Sequence, residues 1–225
     1  MAFRPRLEVL AEPQRRLWSE LRATPADFVL YGGTALALRL GHRNSEDFDF
    51  FSSEAFSADD LLRKVSYLRN ARVDQFQENT LTCAVDREGP IKASFFGGLD
   101  SLNRVDDPDL AGDGELQIAS LLDIAAMEVS VVQRRAAYKD YFDINALLDA
   151  NIGLPEALAA AMTVFGKSFN ALVSLKALSY FEDGDLGRLP QSIQRHLSQA
   201  AREVDFSRLP ILAGKPGLTD RGLGR

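Results

Sequence analysis

A β-prone run that ends in two glycines and continues directly into a helix constrains the fold of this chain more than any other feature. Residues 28–31 are the β-prone run, Gly32 and Gly33 follow it, and residues 34–40 have helical spacing. Glycines let main-chain N–H groups approach a ligand closely, and a helix N-terminus carries partial positive charge. The junction therefore suits a phosphate group, with Thr34 as a further hydroxyl donor. A tight turn with a purely structural role would have the same sequence.

Two aspartates separated by one residue lie in the next predicted strand, residues 47–51. Residues two apart in a strand point to the same face, so Asp47 and Asp49 share one face while Phe48 and Phe50 point to the core. With Cα atoms roughly 6.5 Å apart, the two carboxylates can converge on one or two divalent cations. Such oxygen ligands favour Mg²⁺ or Mn²⁺ over zinc. Asp-x-Asp also occurs on solvated strand edges that bind nothing. Here it follows a strand, two glycines, a helix and a loop in that order, which favours a metal and phosphate site.

The first half of the chain is predicted to alternate helices and strands. Residues 13–22 have the spacing of a short amphipathic helix, and Ser57 can cap a helix over residues 58–69. Turn signals separate three β-prone runs, which predicts an antiparallel meander. These runs are residues 72–77, 81–86 and 91–96.

From about residue 116 onward the apolar residues have helical spacing. One predicted stripe contains Leu121, Ala125, Val129 and Val132, and a second contains Phe142, Ala146 and Ala150. Pro155 can open a helix covering much of residues 156–180, and Pro190 can open a last helix to about residue 204. We therefore predict an α+β fold with two domains. A mixed sheet with flanking helices forms residues 1–112, and a helical domain packed on it forms residues 113–225.

Composition excludes several classes of protein. A net charge of -6 and a pI near 5.1 argue against a protein that coats nucleic acid through bulk charge. Cys83 is the only cysteine, which excludes an intramolecular disulfide and fits a reducing, cytoplasmic setting. The N-terminus lacks the features of a signal peptide, and the apolar stretch 118–132 is interrupted by charges, so no membrane role is expected.

Two blocks of the sequence resemble a known family, from about residue 28 to residue 148. The first is Tyr-Gly-Gly-Thr-Ala-Leu at 31–36 followed by residues 41–51, and the second is Asp-Ile-Ala-Ala-Met at 123–127 followed by Lys-Asp-Tyr-Phe-Asp at 139–143. They resemble the AbiEii/AbiGii nucleotidyltransferase-like toxins of the DNA polymerase beta-type nucleotidyltransferase superfamily. The resemblance implies a nucleotidyltransferase-like fold and transfer of a nucleoside monophosphate from an NTP, with Mg²⁺ or Mn²⁺, to an acceptor. It also implies a toxin of a toxin–antitoxin or abortive-infection pair, with a cognate antitoxin and tRNA or another RNA as possible partners.

The resemblance and the residue chemistry together give a set of site residues. The predicted catalytic residues are Asp47, Asp49, Asp140 and Lys139, of which Asp47 and Asp49 also hold the metal. The predicted nucleotide-binding residues are Gly32, Gly33, Thr34, Arg43, Ser45 and Asp143. On a helix, Asp140 and Asp143 are neighbours at i and i+3, and Lys139 can complement their charge or reach a triphosphate. Arg134, Arg135 and Lys139 form a basic cluster that is either a solvated face or a contact surface for phosphates or RNA.

Two positions depart from the family pattern. Polymerase beta-type enzymes often carry a third carboxylate on a later strand, and here that position falls on Ser94, which cannot act as a general base at neutral pH. Relatives typically have lysine after the Asp-Ile-Ala-Ala-Met block, whereas this chain has Glu128, an anion that would repel a triphosphate unless a metal or Arg135 offsets it. The alternative function is therefore a catalytically degenerate nucleotide-binding protein that acts through partner binding.

Overall fold

The computed structural model describes residues 3–112, 114 and 116–219. The chain divides into two compact units. The first unit is drawn from Met1–Leu102, Asp107–Ser120 and Pro216–Arg225, and the second from Asn103–Asp106 and Leu121–Lys215.

The first unit is built on a mixed sheet of seven strands. They are β1 (Val29–Tyr31), β2 (Asp47–Phe51), β3 (Arg72–Gln77), β4 (Thr80–Asp86), β5 (Pro90–Phe96), β7 (Asp109–Leu110) and β8 (Gln117–Ile118). Their order across the sheet is β3-β4-β5-β2-β1-β8-β7. Two further short strands are β6 (Asn103–Arg104) and β9 (Lys215–Pro216). β3, β4 and β5 form the predicted antiparallel meander, whereas β2 pairs parallel with β5 and antiparallel with β1. The predicted α+β fold with a mixed sheet is confirmed.

Three helices accompany this sheet in the first unit, namely α1 (Glu12–Trp18), α2 (Gly32–Leu40) and α3 (Ala58–Lys64). Gly41 ends α2 in the left-handed conformation (φ 70°), and the Ser57 hydroxyl caps α3 by accepting a hydrogen bond from the Asp60 main-chain N–H. α1 and α3 are shorter than predicted. The chain beyond each of them continues into a separate 3₁₀ turn, Leu21–Ala23 and Ser66–Leu68.

The second unit contains the helices α4 (Leu121–Val131), α5 (Tyr138–Asp149), α6 (Leu154–Phe165), α7 (Ala171–Ala177) and α8 (Gln191–Glu203). The single helix predicted over residues 156–180 is wrong, because Gly166 has a positive φ of 54° and stops α6. The Asn170 side chain then caps α7 by accepting a hydrogen bond from the Leu172 N–H. Within the described residues no single helix is long and apolar enough to cross a bilayer. One pair of helices, Tyr138–Asp149 and Leu154–Ser168, has sufficient length and apolar composition when counted together, and the two are bent by 117° relative to each other.

The buried face of α5 differs from the predicted stripe of Phe142, Ala146 and Ala150. Phe142 and Ala150 are only partly buried, and the buried side of the helix is centred on Tyr141, Ile144 and Leu147. Large apolar side chains thus decide which side of α5 faces the core. Asp140 and Asp143 lie on that same side, at the spacing of i, i+3 and i+4 from its apolar residues.

Candidate active site

Asp47 and Asp49 lie on the predicted strand, β2, and alternate with buried aromatic residues. Phe48 and Phe50 are fully buried, and the two aspartates are partly exposed. The Phe50 ring stacks on Phe95 of β5 with centroids 4.9 Å apart. This packing fixes the face of β2 that carries the carboxylates, because a slip of one residue would exchange the buried and exposed sets.

The turn between β1 and α2 lies directly beside the second carboxylate. Tyr31, the last residue of β1, is level with Asp49 in the β1–β2 register. Gly32 has a φ of 70°, and a β-carbon there would touch the Asp49 Oδ2 atom at 3.5 Å. Glycine is therefore favoured by the backbone conformation, and its missing side chain leaves space over the carboxylate. Gly33 follows it in the first turn of α2.

Thr34 and Ser45 hold the start of β2 against α2. The Thr34 hydroxyl is buried, donates to the main-chain carbonyl of Asp47 and shares a hydrogen bond of 2.7 Å with Ser45 Oγ. The Ser45 N–H donates to the Val9 carbonyl at 3.3 Å. These hydrogen bonds hold Asp47 in position, and the phosphate-binding role of Thr34 stays a prediction. Arg43 lies in the loop between α2 and β2 and is partly exposed. Its guanidinium donates a hydrogen bond to the Asn44 carbonyl at 3.0 Å.

Strand β5 presents Lys92 and Ser94 beside the two aspartates. Lys92 is level with Asp47, and Ser94 is level with Asp49, in the parallel β2–β5 pairing. The Lys92 ammonium lies 3.6 Å from Asp47 Oδ2. The position predicted for the third carboxylate is therefore adjacent to Asp49. It carries the small neutral side chain of Ser94, which is buried. The hydrogen bond with Arg72 is the main cause of the lowered pKa of Asp74, and the positive charge of Lys92 lowers that pKa further.

In the second unit, Arg135 holds Asp140 through two hydrogen bonds. The Arg135 Nε and Nη2 atoms donate to the two carboxylate oxygens at 2.7 and 2.9 Å, and the Asp140 side chain is 3% exposed. Lys139, one residue earlier on α5, is exposed, and Asp143, one turn later, is buried. Burial raises the pKa of the adjacent Tyr141 hydroxyl to about 12, with a smaller contribution from the Asp140 charge. That Arg135 offsets the charge of Glu128 stays a prediction, and its two hydrogen bonds given above go to Asp140.

Asp123 and Glu128, both on α4, are also buried in the second unit. The two oxygens of Asp123 accept hydrogen bonds from the main-chain N–H groups of Val105 and Asp106 at 2.8 and 3.0 Å. The first acidic residue of the Asp-Ile-Ala-Ala-Met block therefore fixes a loop of its own unit. That role was not predicted from the sequence, although an aspartate among apolar residues on a helix is a signal for it.

The donor set at Asp47 and Asp49 fits Mg²⁺ or Mn²⁺. Both ligands are carboxylates on one strand face, and the glycine turn leaves space beside Asp49. In the part of the chain that the structure describes, no three His, Cys, Asp or Glu side chains are grouped to hold a metal ion. Mg²⁺ commonly binds through one or two carboxylates together with substrate phosphates and water, so a pair of aspartates is sufficient.

Lys92 is the site residue that the sequence reasoning missed. A lysine on a strand at the spacing i, i+2 from Ser94 must share its face with that serine. The signal was therefore present once Ser94 had been aligned with the acidic position, but only the pairing with β2 shows that Lys92 lies beside Asp47.

Comparison with solved structures finds the same fold in nucleotidyltransferases. MenT4, a nucleotidyltransferase toxin from Mycobacterium tuberculosis, matches with a TM-score of 0.59 and 16% identity over 86% of this chain and 83% of that one. A protein of H. pylori assigned as a nucleotidyltransferase matches with a TM-score of 0.51 and 21% identity over 84% of this chain and 90% of that one. At these identities the likeness concerns the fold.

Sequence comparison reaches further. An uncharacterized protein of Aquifex aeolicus is 32% identical over 159 residues, which are 70% of this chain and 75% of that protein. The family model of the AbiEii nucleotidyl transferase toxin of type IV toxin–antitoxin systems matches residues 16–211, which include both blocks of site residues. The chain belongs to the AbiEii nucleotidyltransferase toxin family.

Proposed function

We propose that this protein is a metal-dependent nucleotidyltransferase that transfers a nucleoside monophosphate from an NTP to an RNA or protein acceptor. The observation that carries the proposal is the carboxylate pair of β2 beside the glycine turn, where Gly32 leaves space over Asp49. Membership of a toxin family supports a role as the toxin of a toxin–antitoxin or abortive-infection system, acting in the cytoplasm with a cognate antitoxin.

In this proposal Asp47 and Asp49 hold Mg²⁺ or Mn²⁺, and the main-chain N–H groups at Gly32 and Gly33 receive phosphate oxygens at the start of α2. The bound cation would supply charge neutralisation and orientation of the triphosphate. An acceptor hydroxyl oxygen forms a bond to the α-phosphorus, the bond from that phosphorus to the β-phosphate oxygen breaks, and pyrophosphate leaves with the electron pair. The hydroxyl proton passes to solvent. Thr34 and Ser45 keep Asp47 in place throughout.

The remaining predicted residues take roles that follow from their charge and exposure. Arg43 is a candidate for contact with phosphate oxygens, because it is partly exposed in the loop before β2. Lys139 is exposed and is assigned to the triphosphate. Asp140 and Asp143 are buried, which favours a supporting role within α5 over direct contact with the reacting groups.

The direct test is transfer of label from α-³²P-labelled NTPs to total RNA or to protein. We expect the wild type to label an acceptor, and Asp47→Asn or Asp49→Asn to lose at least about 100-fold of the rate, because each change removes charge that preorganises the site. Asp59→Asn, an exposed carboxylate in the first turn of α3, is the matched control and should retain activity. Labelling that persists in both active-site variants would refute the mechanism.

A second function, nucleotide binding without turnover, is favoured by two observations. Ser94 occupies the position beside Asp49, so the local site has two carboxylates in place of three. Glu128, which stands where relatives have lysine, is buried and removes a possible phosphate-binding cation. Calorimetric binding of an NTP with Mg²⁺, together with no label transfer under any acceptor, would select this second function and reject the first.

A further inference from the structure

We propose that Lys92 supplies, as a protein ammonium group, the positive charge that a second divalent cation would otherwise provide, so that Asp47 and Asp49 bind a single cation. The inference rests on the proposed function and specifies how that site carries its charge. It makes Lys92 a positioning residue for the triphosphate and gives the site a metal stoichiometry of one.

The register of four residues supports this assignment. Lys92 is level with Asp47 across the β2–β5 pair, and Ser94 is level with Asp49. Residues level with each other on paired strands point to the same face, so all four side chains share one surface of the sheet. Toward β5, a second divalent cation would meet the Lys92 ammonium beside Asp47 and, beside Asp49, the buried neutral hydroxyl of Ser94 in place of a carboxylate.

The charge of the cluster leads to the same conclusion. Two carboxylates and one ammonium leave a single net negative charge, which one divalent cation converts to a positive charge before the triphosphate binds. A second divalent cation would have to approach the Lys92 ammonium, which already lies 3.6 Å from Asp47 Oδ2. Once the first cation is bound, β5 offers no further carboxylate to offset the repulsion that a second cation would meet from the first and from Lys92.

The contact between Lys92 and Asp47 is loose enough to be exchanged. The Lys92 side chain is 53% exposed and that of Asp47 is 36% exposed, and exposed ion pairs contribute little to stability. A cation arriving at Asp47 can therefore displace the ammonium at low cost, and the flexible lysine can then reach phosphate oxygens as a mobile point charge. The same residue competes with the metal before the nucleotide binds and supports the nucleotide afterwards.

This double role predicts effects of opposite sign in one variant. In Lys92→Met, the affinity for Mn²⁺ without nucleotide should rise about threefold to tenfold, because a competing charge is gone. The affinity for an α,β-methylene NTP at saturating Mn²⁺ should fall about tenfold, equivalent to about 1.4 kcal/mol. Lys92→Arg should restore analogue binding to within about threefold of wild type. Lys64→Met, at the exposed end of α3, is the matched control and should change neither affinity.

The stoichiometry is measured by electron paramagnetic resonance of Mn²⁺ with the protein saturated by the same analogue. We expect one Mn²⁺ per chain in the wild type and in Ser94→Asp, in which Lys92 still supplies its charge. We expect two in Ser94→Asp combined with Lys92→Met, which has a carboxylate beside Asp49 and no competing ammonium. Two Mn²⁺ in the wild type, or unchanged affinities in Lys92→Met, would overturn the inference while leaving the proposed function intact. A wild type that binds neither Mn²⁺ nor the analogue would overturn both.

Discussion

Asp47 in the first unit is held in the opposite way to Asp140 and Asp123 in the second. Asp47 on β2 is 36% exposed, and its contact with Lys92 is a single ion pair of 3.6 Å. Asp140 on α5 is 3% exposed, and Arg135 donates to both of its oxygens at 2.7 and 2.9 Å. Asp123 is likewise buried and receives two main-chain N–H groups.

This difference in burial and partners decides which carboxylates can bind an external ligand. A buried carboxylate has lost its hydration and depends on internal donors, so removal of those donors destabilises the fold. A partly exposed carboxylate with one loose partner keeps lone pairs for a cation from solution. Asp47 is thus available to a ligand, whereas Asp123 and Asp140 hold the structure of the second unit together. Four variants, ordered by the size of the expected effect, test that contrast.

Asp123→Ala should cause the largest loss of stability. The change leaves the main-chain N–H groups of Val105 and Asp106 without the carboxylate, and hydrogen bonds to a charged group contribute about 1.5–3 kcal/mol each. We expect the free energy of unfolding to fall by about 3–4 kcal/mol in urea titrations followed by circular dichroism. Asp123→Asn retains one acceptor oxygen and should lose about half as much. A loss below about 1 kcal/mol for the alanine variant would contradict the structural role of Asp123.

Arg135→Ala should have the next largest effect. It leaves the buried Asp140 without its two-pronged partner, although the exposed side of Arg135 admits some water. We expect a loss of about 2–3 kcal/mol in the free energy of unfolding. The adjacent and exposed Arg134 provides the matched control, because Arg134→Ala should change stability by less than about 0.5 kcal/mol. Equal effects of the two alanine substitutions would show that the contact with Asp140 is unimportant.

Thr34→Val tests the connection between the fold and the site in the first unit. The change keeps the shape of the side chain but removes the hydroxyl that binds the Asp47 carbonyl and Ser45 Oγ. We expect a loss of about 1–2 kcal/mol in stability and weaker Mn²⁺ binding, since Asp47 is less firmly positioned. Thr34→Ser keeps the hydroxyl and should bind Mn²⁺ as the wild type does. Normal Mn²⁺ binding in Thr34→Val would return Thr34 to the phosphate-binding role predicted from the sequence.

Asp47→Asn should have the smallest effect on stability and therefore sharpens the contrast most. Its partner Lys92 is more than half exposed, and such surface pairs contribute about 0–1 kcal/mol. We expect the free energy of unfolding to change by less than about 1 kcal/mol, while calorimetric Mn²⁺ binding is lost. A loss of stability as large as that of Arg135→Ala would place Asp47 among the structural carboxylates and remove the contrast between the units.

Local sequence patterns were sufficient for much of the fold. The boundaries of β2 follow from the alternation of aspartate and phenylalanine, and Gly41 ends α2 because few other residues adopt a positive φ. The predicted stripe on α5 is wrong at Phe142 and Ala150, which are partly buried, because the helix turns Tyr141, Ile144 and Leu147 toward the core. The long helix predicted over residues 156–180 is wrong because Gly166 ends α6 and Asn170 caps a separate helix, α7.

Features that depend on near neighbours in the chain could be predicted from the residues alone: the glycine turn, the pair of aspartates on one strand face, the meander and the family resemblance. Which distant residues meet became clear only from the three-dimensional fold. Only strand pairing brings Lys92 and Ser94 to Asp47 and Asp49, because register is set by the packing of both faces of the sheet. Only helix packing shows that Asp140 is buried and held by Arg135, since the chemistry of a carboxylate depends on its solvation, which a one-dimensional pattern does not contain.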